Sequence, residues 1–192
     1  MPEGSSSRFA LRAYAVVLVA LLVVSWFALT VFGLAPDLPH NEEAFPGSAF
    51  LGGWYRYDGN WYVIISREGY YFDPTRQSSV AFFPAYPMLL RAISSLGLNV
   101  QLVGIAVTIA CGLGAVCTFA SWAQDRIGRP AARTAVLLLV LYPYAWYLFG
   151  AVYSDALFLF AALGAFWLLE RDHPVLAGLA GALASAARPI GI

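Results

Sequence analysis

An aspartate set among aromatic side chains, in the run Trp54-Tyr55-Arg56-Tyr57-Asp58-Gly59-Asn60-Trp61-Tyr62, is the first part of the sequence equipped for chemistry. A carboxylate in such a setting can act as general base on a hydroxyl while the aromatic faces pack against a sugar or an isoprenoid. Partial desolvation would raise the base strength of Asp58. The same residues also read as a plain turn, since Asp-Gly is a common turn dipeptide and Trp and Tyr gather at membrane interfaces. The residues alone leave both readings open.

Three further clusters stand out. Gln77-Ser78-Ser79-Val80-Ala81-Phe82-Phe83-Pro84-Ala85-Tyr86-Pro87 combines aromatics with two prolines. It suits either a groove for a lipid-linked substrate or a proline-shaped entry into an aromatic belt. In Tyr153-Ser154-Asp155, the serine or the aspartate would cap a following helix, yet an acid at the mouth of a membrane helix is also a functional candidate. Arg188, in Ala187-Arg188-Pro189, either reaches for lipid headgroups or turns inward, where its fork of donors would suit a phosphate.

The elements that must position these residues follow from hydropathy. Of the 192 residues, 60% are hydrophobic and 11% charged, with a mean hydropathy of +0.69. Soluble domains carry about a quarter charged residues, so lipid is the expected solvent for much of the chain. The net charge is zero, which leaves no basic field for nucleic acid. All eleven basic residues are arginine. Cys111 and Cys117 lie in one apolar run with no His or acid beside them, and read as buried free thiols.

The expected fold class is all-α, a polytopic membrane bundle of about five helices. Residues 13–34 form the first span, retained as an anchor rather than cleaved as a signal. Residues 35–98 form a long extracytoplasmic loop with short interfacial helices, and 80–96 is a proline-broken interfacial or re-entrant helix. Further spans are expected at 100–123, 134–151, 155–169 and 175–192, the middle two forming a hairpin that turns near 150–155. Glycines such as Gly104, Gly112 and Gly114 should let helices approach closely. Arg8, Arg12, Arg126, Arg129, Arg133 and Arg171 then lie on one side, placing the N-terminus in the cytoplasm. The acidic loop, the 153–155 turn and Arg188 converge on the opposite face. The ending two residues past Pro189-Ile190 reads as a truncation at the C-terminus.

Taken in this order and spacing, the clusters resemble the PIG-V-type mannosyltransferases, of the GT-C class of membrane glycosyltransferases. The likeness runs through Tyr57 to Tyr62, Glu68-Gly69-Tyr70, Gln77 to Pro87, Tyr153-Ser154-Asp155, and Ala177-Gly178 to Arg188-Pro189. Gln77 to Pro87 is its most specific piece. Asp155 departs from the family's usual glutamate, which shortens the side chain but keeps the charge. Family members also run further.

The resemblance implies an inverting transfer of mannose from a polyprenyl-phosphate-mannose donor to a hydroxyl of a glycan, glycolipid or protein acceptor. It puts the catalytic carboxylate in the first outer loop, here Asp58. Arg188, with Arg76, would neutralise the lipid phosphate, and Tyr153 and Asp155 would line the acceptor or sugar side. Arg56, Tyr57, Trp61 and Gln77 complete the substrate-binding candidates. Competing readings are a transporter or flippase of a lipid-linked solute, an inactive remnant of the enzyme, or the same chemistry with another sugar. The acids are scattered rather than paired at a ligand spacing, so neither metal nor cofactor is expected. Mannosyl transfer should therefore persist in EDTA; loss of activity on chelation, restored by a divalent cation, would contradict this.

Overall fold

A computed structural model describes residues 4–33, 45–75 and 77–189. Helix α1, Gly4–Phe32, is followed by the short α2, Ala49–Gly52, and by α3, Gly59–Glu68. A 3₁₀ turn at Ser79–Ala81 leads into α4, Ala85–Ser94, and the long α5, Val100–Val140. A second 3₁₀ segment, Pro143–Leu148, precedes α6, Asp155–Leu169, and α7, Pro174–Ala187. No strand occurs among the described residues. The all-α expectation holds at that level.

Two helices, Ser6–Phe32 and Val100–Val140, are long and apolar enough to cross a membrane. The first needs no polar partner for its backbone, because every internal N–H is bonded within the helix. Asn99 starts α5 by accepting the Leu102 N–H with its side chain, at 3.0 Å. The connector expected after residue 123 is a break inside α5 rather than a loop. Gly128 takes the left-handed φ of 76° that a glycine tolerates, and Pro130 supplies no N–H to the helix.

The expected span 134–151 requires correction. Its helix stops at Val140, because Pro143 disfavours helical backbone in the residue before it, and Tyr142 is extended. The chain then runs as a 3₁₀ turn and an irregular stretch that packs into the bundle instead of rounding a hairpin tip. Leu148, Phe149, Ala151, Val152 and Ser154 are all buried.

Helix α1 lies antiparallel to the first half of α5. Ser7 meets Ser121 at 3.1 Å near one end, and the Tyr14 hydroxyl reaches the Ile109 carbonyl at 3.0 Å further along. The same hydroxyl donates to the Leu148 carbonyl at 2.6 Å, and the Tyr14 ring stacks on Phe149. Helix α6 packs on α5, and α7 packs on α6 and α4.

Polar pairing marks the two ends of this bundle. At one end Arg171 pairs with Asp125 at 2.7 Å, and Arg126 with Glu170. The hydrogen bond from Arg126 holds the Glu170 carboxyl below the usual range. The opposite end carries α3, α4 and the start of α6.

At Gly104 and Gly112 the close approach expected of a helix is made instead by the irregular segment where it crosses α5. A Cβ on Gly112 would lie 1.9 Å from the Leu148 carbonyl oxygen, and one on Gly104 would lie 2.8 Å from Val152 Cγ1. Backbone cannot yield as a side-chain tip can. Gly112→Ala should therefore destabilise by about 1–3 kcal/mol or more. Gly178→Ala, with nothing within 4 Å of the new carbon, should stay within about 0.5 kcal/mol of the parent. Thermal melts in detergent check the pair; equal midpoints for both variants would contradict the packing.

Candidate active site

Asp58 sits at the N-terminus of α3. The residue before it, Tyr57, has φ of 50°, a left-handed conformation that costs a non-glycine residue roughly 1–3 kcal/mol. Turn hydrogen bonds hold it there: Gly59 N–H to Arg56 O at 3.0 Å and Asn60 N–H to Tyr57 O at 3.2 Å. Tyr55 donates to the Asn60 side-chain oxygen at 2.7 Å, tying the turn to the helix. The aspartate side chain makes no cap bond to α3. It is exposed, so this chain does not supply the desolvation expected of it.

The irregular segment 148–154 reaches back to the loop. Val152 donates its N–H to the Trp54 carbonyl at 3.1 Å, and Gly59 leaves room for the Val152 carbonyl. Gly150, with φ of 131°, lies under the Trp54 ring, where no side chain fits comfortably. The Tyr153 hydroxyl accepts the backbone N–H of Asp58 at 3.2 Å. Burial pushes the Tyr153 phenol up, so it keeps its proton while accepting that bond.

Tyr62, one helical turn beyond Asp58, links the loop to the α6 entry. Its hydroxyl lies 3.0 Å from Ser154 Oγ, and burial raises its pKa as well. Asp155, Arg188 and Asp58 all act electrostatically on this hydroxyl. Asp155, in the first turn of α6, pairs with Arg188 at the end of α7. Ser154 occupies the cap position of α6 without a side-chain cap bond, so the predicted capping role is not its job.

Aromatic rings close one side of the site. Trp61 stacks on Phe82 at 5.5 Å between centroids, and Tyr62 meets Phe82 and Tyr86 edge-on at 5.3 and 5.1 Å. Tyr86 is fully buried and hydrogen-bonds Thr108 at 3.0 Å and the Gly104 carbonyl at 3.1 Å. Beside these rings, Tyr70, Val80, Phe82, Phe83 and Pro84 line an open apolar cleft of about 390 Å³.

Of the predicted residues, the structure gathers Asp58, Tyr153, Asp155 and Arg188 around Tyr62, with Trp61 on the adjoining aromatic wall. Arg56 and Tyr57 instead face a separate cleft of about 390 Å³ shared with Ala28 and Leu29 of α1, Trp54 and Trp146. The Gln77 carbonyl accepts from Tyr71, placing it beyond Trp61, and Arg76 lies outside the described residues. Tyr62 was not given a role from sequence, and Ser154 was read only as a helix cap. The four-residue step from Asp58 to Tyr62, which puts both on one helix face, was the signal available for the former. Among the described residues, no group of three or more His, Cys, Asp or Glu could hold a metal ion.

Residues 41–192 match the family described as Mannosyltransferase (PIG-V), and the chain belongs to that family. It is 31% identical over 155 residues to GPI alpha-1,6-mannosyltransferase 2 of Rattus norvegicus, covering 75% of this chain and 30% of the relative. The Mus musculus protein of the same name is 31% identical over 183 residues, covering 83% and 36%. The chain thus spans about a third of the length of the curated relatives it matches. No solved structure matches it. These matches do not favour the transporter reading.

The Asp155–Arg188 pair joins the start of α6 to the residue that ends α7, the next helix in the chain. Removing one partner strands the other, so Asp155→Asn and Arg188→Gln should each destabilise, and the double variant by less than their sum. A coupling of about 0.5–3 kcal/mol is expected from unfolding free energies of the four proteins. Strict additivity would show that the pair contributes nothing to the fold.

Proposed function

We propose that this chain carries the catalytic loop of a membrane mannosyltransferase. The full protein moves mannose from a polyprenyl-phosphate-linked donor to an acceptor hydroxyl on the extracytoplasmic face, with inversion. The supporting observation is that an aspartate in the family-matched loop is exposed, while its own backbone is pinned by Tyr153 beside an arginine–carboxylate pair.

The chemistry asks little of the protein beyond placement. The bond from the anomeric carbon to the phosphate oxygen breaks as the acceptor oxygen attacks from the opposite side. The leaving group departs as a phosphate ester and needs no general acid. The acceptor proton goes to Asp58. Arg188, engaged by Asp155 through one of its five N–H donors, offers the charge and fork geometry that suit the departing phosphate. Tyr153 and Asp155 flank the sugar or acceptor, and Trp61 with Phe82 provides an aromatic face for a sugar ring. The apolar helices α1 and α5 lie in the membrane as parts of a multi-pass bundle, with the arginine-rich end in the cytoplasm.

Asp58→Asn in the full-length protein should lower mannosyl transfer by about 10²–10⁴-fold with the fold intact. Activity within about tenfold of the parent would remove Asp58 as the base. Arg188→Ala should weaken binding of polyprenyl-phosphate-mannose, and unchanged donor affinity would take Arg188 out of the phosphate site.

A further inference from the structure

Two buried hydroxyl pairs sit in the aromatic cluster beside the candidate site. In one, Tyr86 of α4 meets Thr108 of α5 at 3.0 Å, and the Tyr86 hydroxyl also reaches the Gly104 carbonyl at 3.1 Å. In the other, Tyr62 of α3 meets Ser154 at 3.0 Å, at the entry to α6. The surroundings of this second pair are charged. Asp58, Asp155 and Arg188 all act on the Tyr62 hydroxyl.

Burial alone does not call for such a bond. Replacing both members of a buried hydrogen bond by apolar groups of like shape is close to neutral, whereas removing one strands the other. The Tyr62 ring is held without its hydroxyl, edge-on to Phe82, Tyr86 and Tyr153. Ser154 spends its side chain on Tyr62 and not on capping α6. What the bond adds is a fixed span. Tyr62 lies one helical turn beyond Asp58, and Ser154 is next in the chain to Asp155, which holds Arg188. One turn of helix, one hydrogen bond and one ion pair thus connect Asp58 to the Arg188 guanidinium.

An inverting transfer makes that span matter. The base and the leaving phosphate stand on opposite sides of the anomeric carbon, so their separation must match the reacting geometry. A misplacement of about 1 Å can cost on the order of 10²-fold in rate. Resting on the transfer reading above, we propose that Tyr62 and Ser154 are positioning residues, whose hydroxyl pair sets the spacing between Asp58 and the Asp155–Arg188 pair. Neither touches the reacting atoms. Their effect falls on kcat, while donor binding stays with Arg188.

The test measures mannosyl transfer and thermal melts of the full-length protein carrying Ser154→Ala, Tyr62→Phe with Ser154→Ala, or Thr108→Val. The last breaks the other hydroxyl pair while Tyr86 keeps the Gly104 carbonyl. Ser154→Ala and the double variant should each lower kcat by about tenfold or more, with KM for polyprenyl-phosphate-mannose within about twofold of the parent. The double variant should melt no lower than Ser154→Ala, because it strands no hydroxyl. Thr108→Val should keep kcat within about twofold of the parent. A double variant with parental stability and parental kcat would show that the pair serves the fold alone, and would overturn the proposal. An equal loss of kcat in Thr108→Val would do the same, by showing a general packing effect. Should the double variant fail to fold, Ser154→Ala decides by itself, since it removes no cap bond, and parental kcat there overturns the proposal. Asp58→Asn, assayed alongside, separates the two readings. A protein slowed by Asp58→Asn yet indifferent to the hydroxyl pair tells against this inference alone, whereas parental kcat in Asp58→Asn overturns the base and the spacing role together.

Discussion

A single backbone carbonyl, that of Leu148, organises the structure. It lies where a side chain at position 112 would have to be, and it accepts the Tyr14 hydroxyl at 2.6 Å. Irregular backbone inside a helical bundle is tolerated only if its polar groups find partners. Here α5 yields a glycine, α1 yields a tyrosine hydroxyl, and the loop between α2 and α3 yields the Trp54 carbonyl for the Val152 N–H. The segment 148–154 is therefore held by three separate parts of the chain.

Everything at the candidate site hangs from that segment. Tyr153 and Ser154 are its last residues, and they meet Asp58 and Tyr62 through one hydrogen bond each. Asp155 follows immediately and turns to Arg188, so the last helix is drawn to the same place. Burial keeps the Tyr62 and Tyr153 phenols protonated, which suits them to fixing geometry rather than to taking protons. Asp58 is left as the exposed carboxylate of the group. A strained Tyr57 just before it is the kind of backbone cost that persists when surrounding contacts over-determine it.

Much of this was legible in the sequence, and the failures have physical causes. Long apolar runs announced α1 and α5, because lipid-length helices leave the plainest pattern a chain can carry. The all-helical class also came through, and four of the charged or tyrosine candidates lie near one another around Tyr62. The stretch 134–151 did not, since an apolar run buried as irregular backbone has the same hydropathy as a span. Pro143 held the clue, and its effect on Tyr142 outweighs the apolar pattern. At the site, Asp58, Tyr153, Asp155 and Arg188 were identified by charge and motif, whereas Tyr62 and Ser154 act through contacts between residues some ninety positions apart. Arg56 and Tyr57 share the motif of Asp58 but face another cleft, because the left-handed turn at Tyr57 separates them from it.

Tyr153 is taken to act through Asp58, by holding the backbone from which the proposed base is presented. A double-mutant cycle on kcat/KM for mannosyl transfer in the full-length enzyme, with Tyr153→Phe and Asp58→Asn, measures that dependence directly. The account predicts a loss of about tenfold from Tyr153→Phe when Asp58 is present and less than about twofold once Asp58 is asparagine. The same fold-loss in both backgrounds would contradict it, and would make Tyr153 and Asp58 independent contributors.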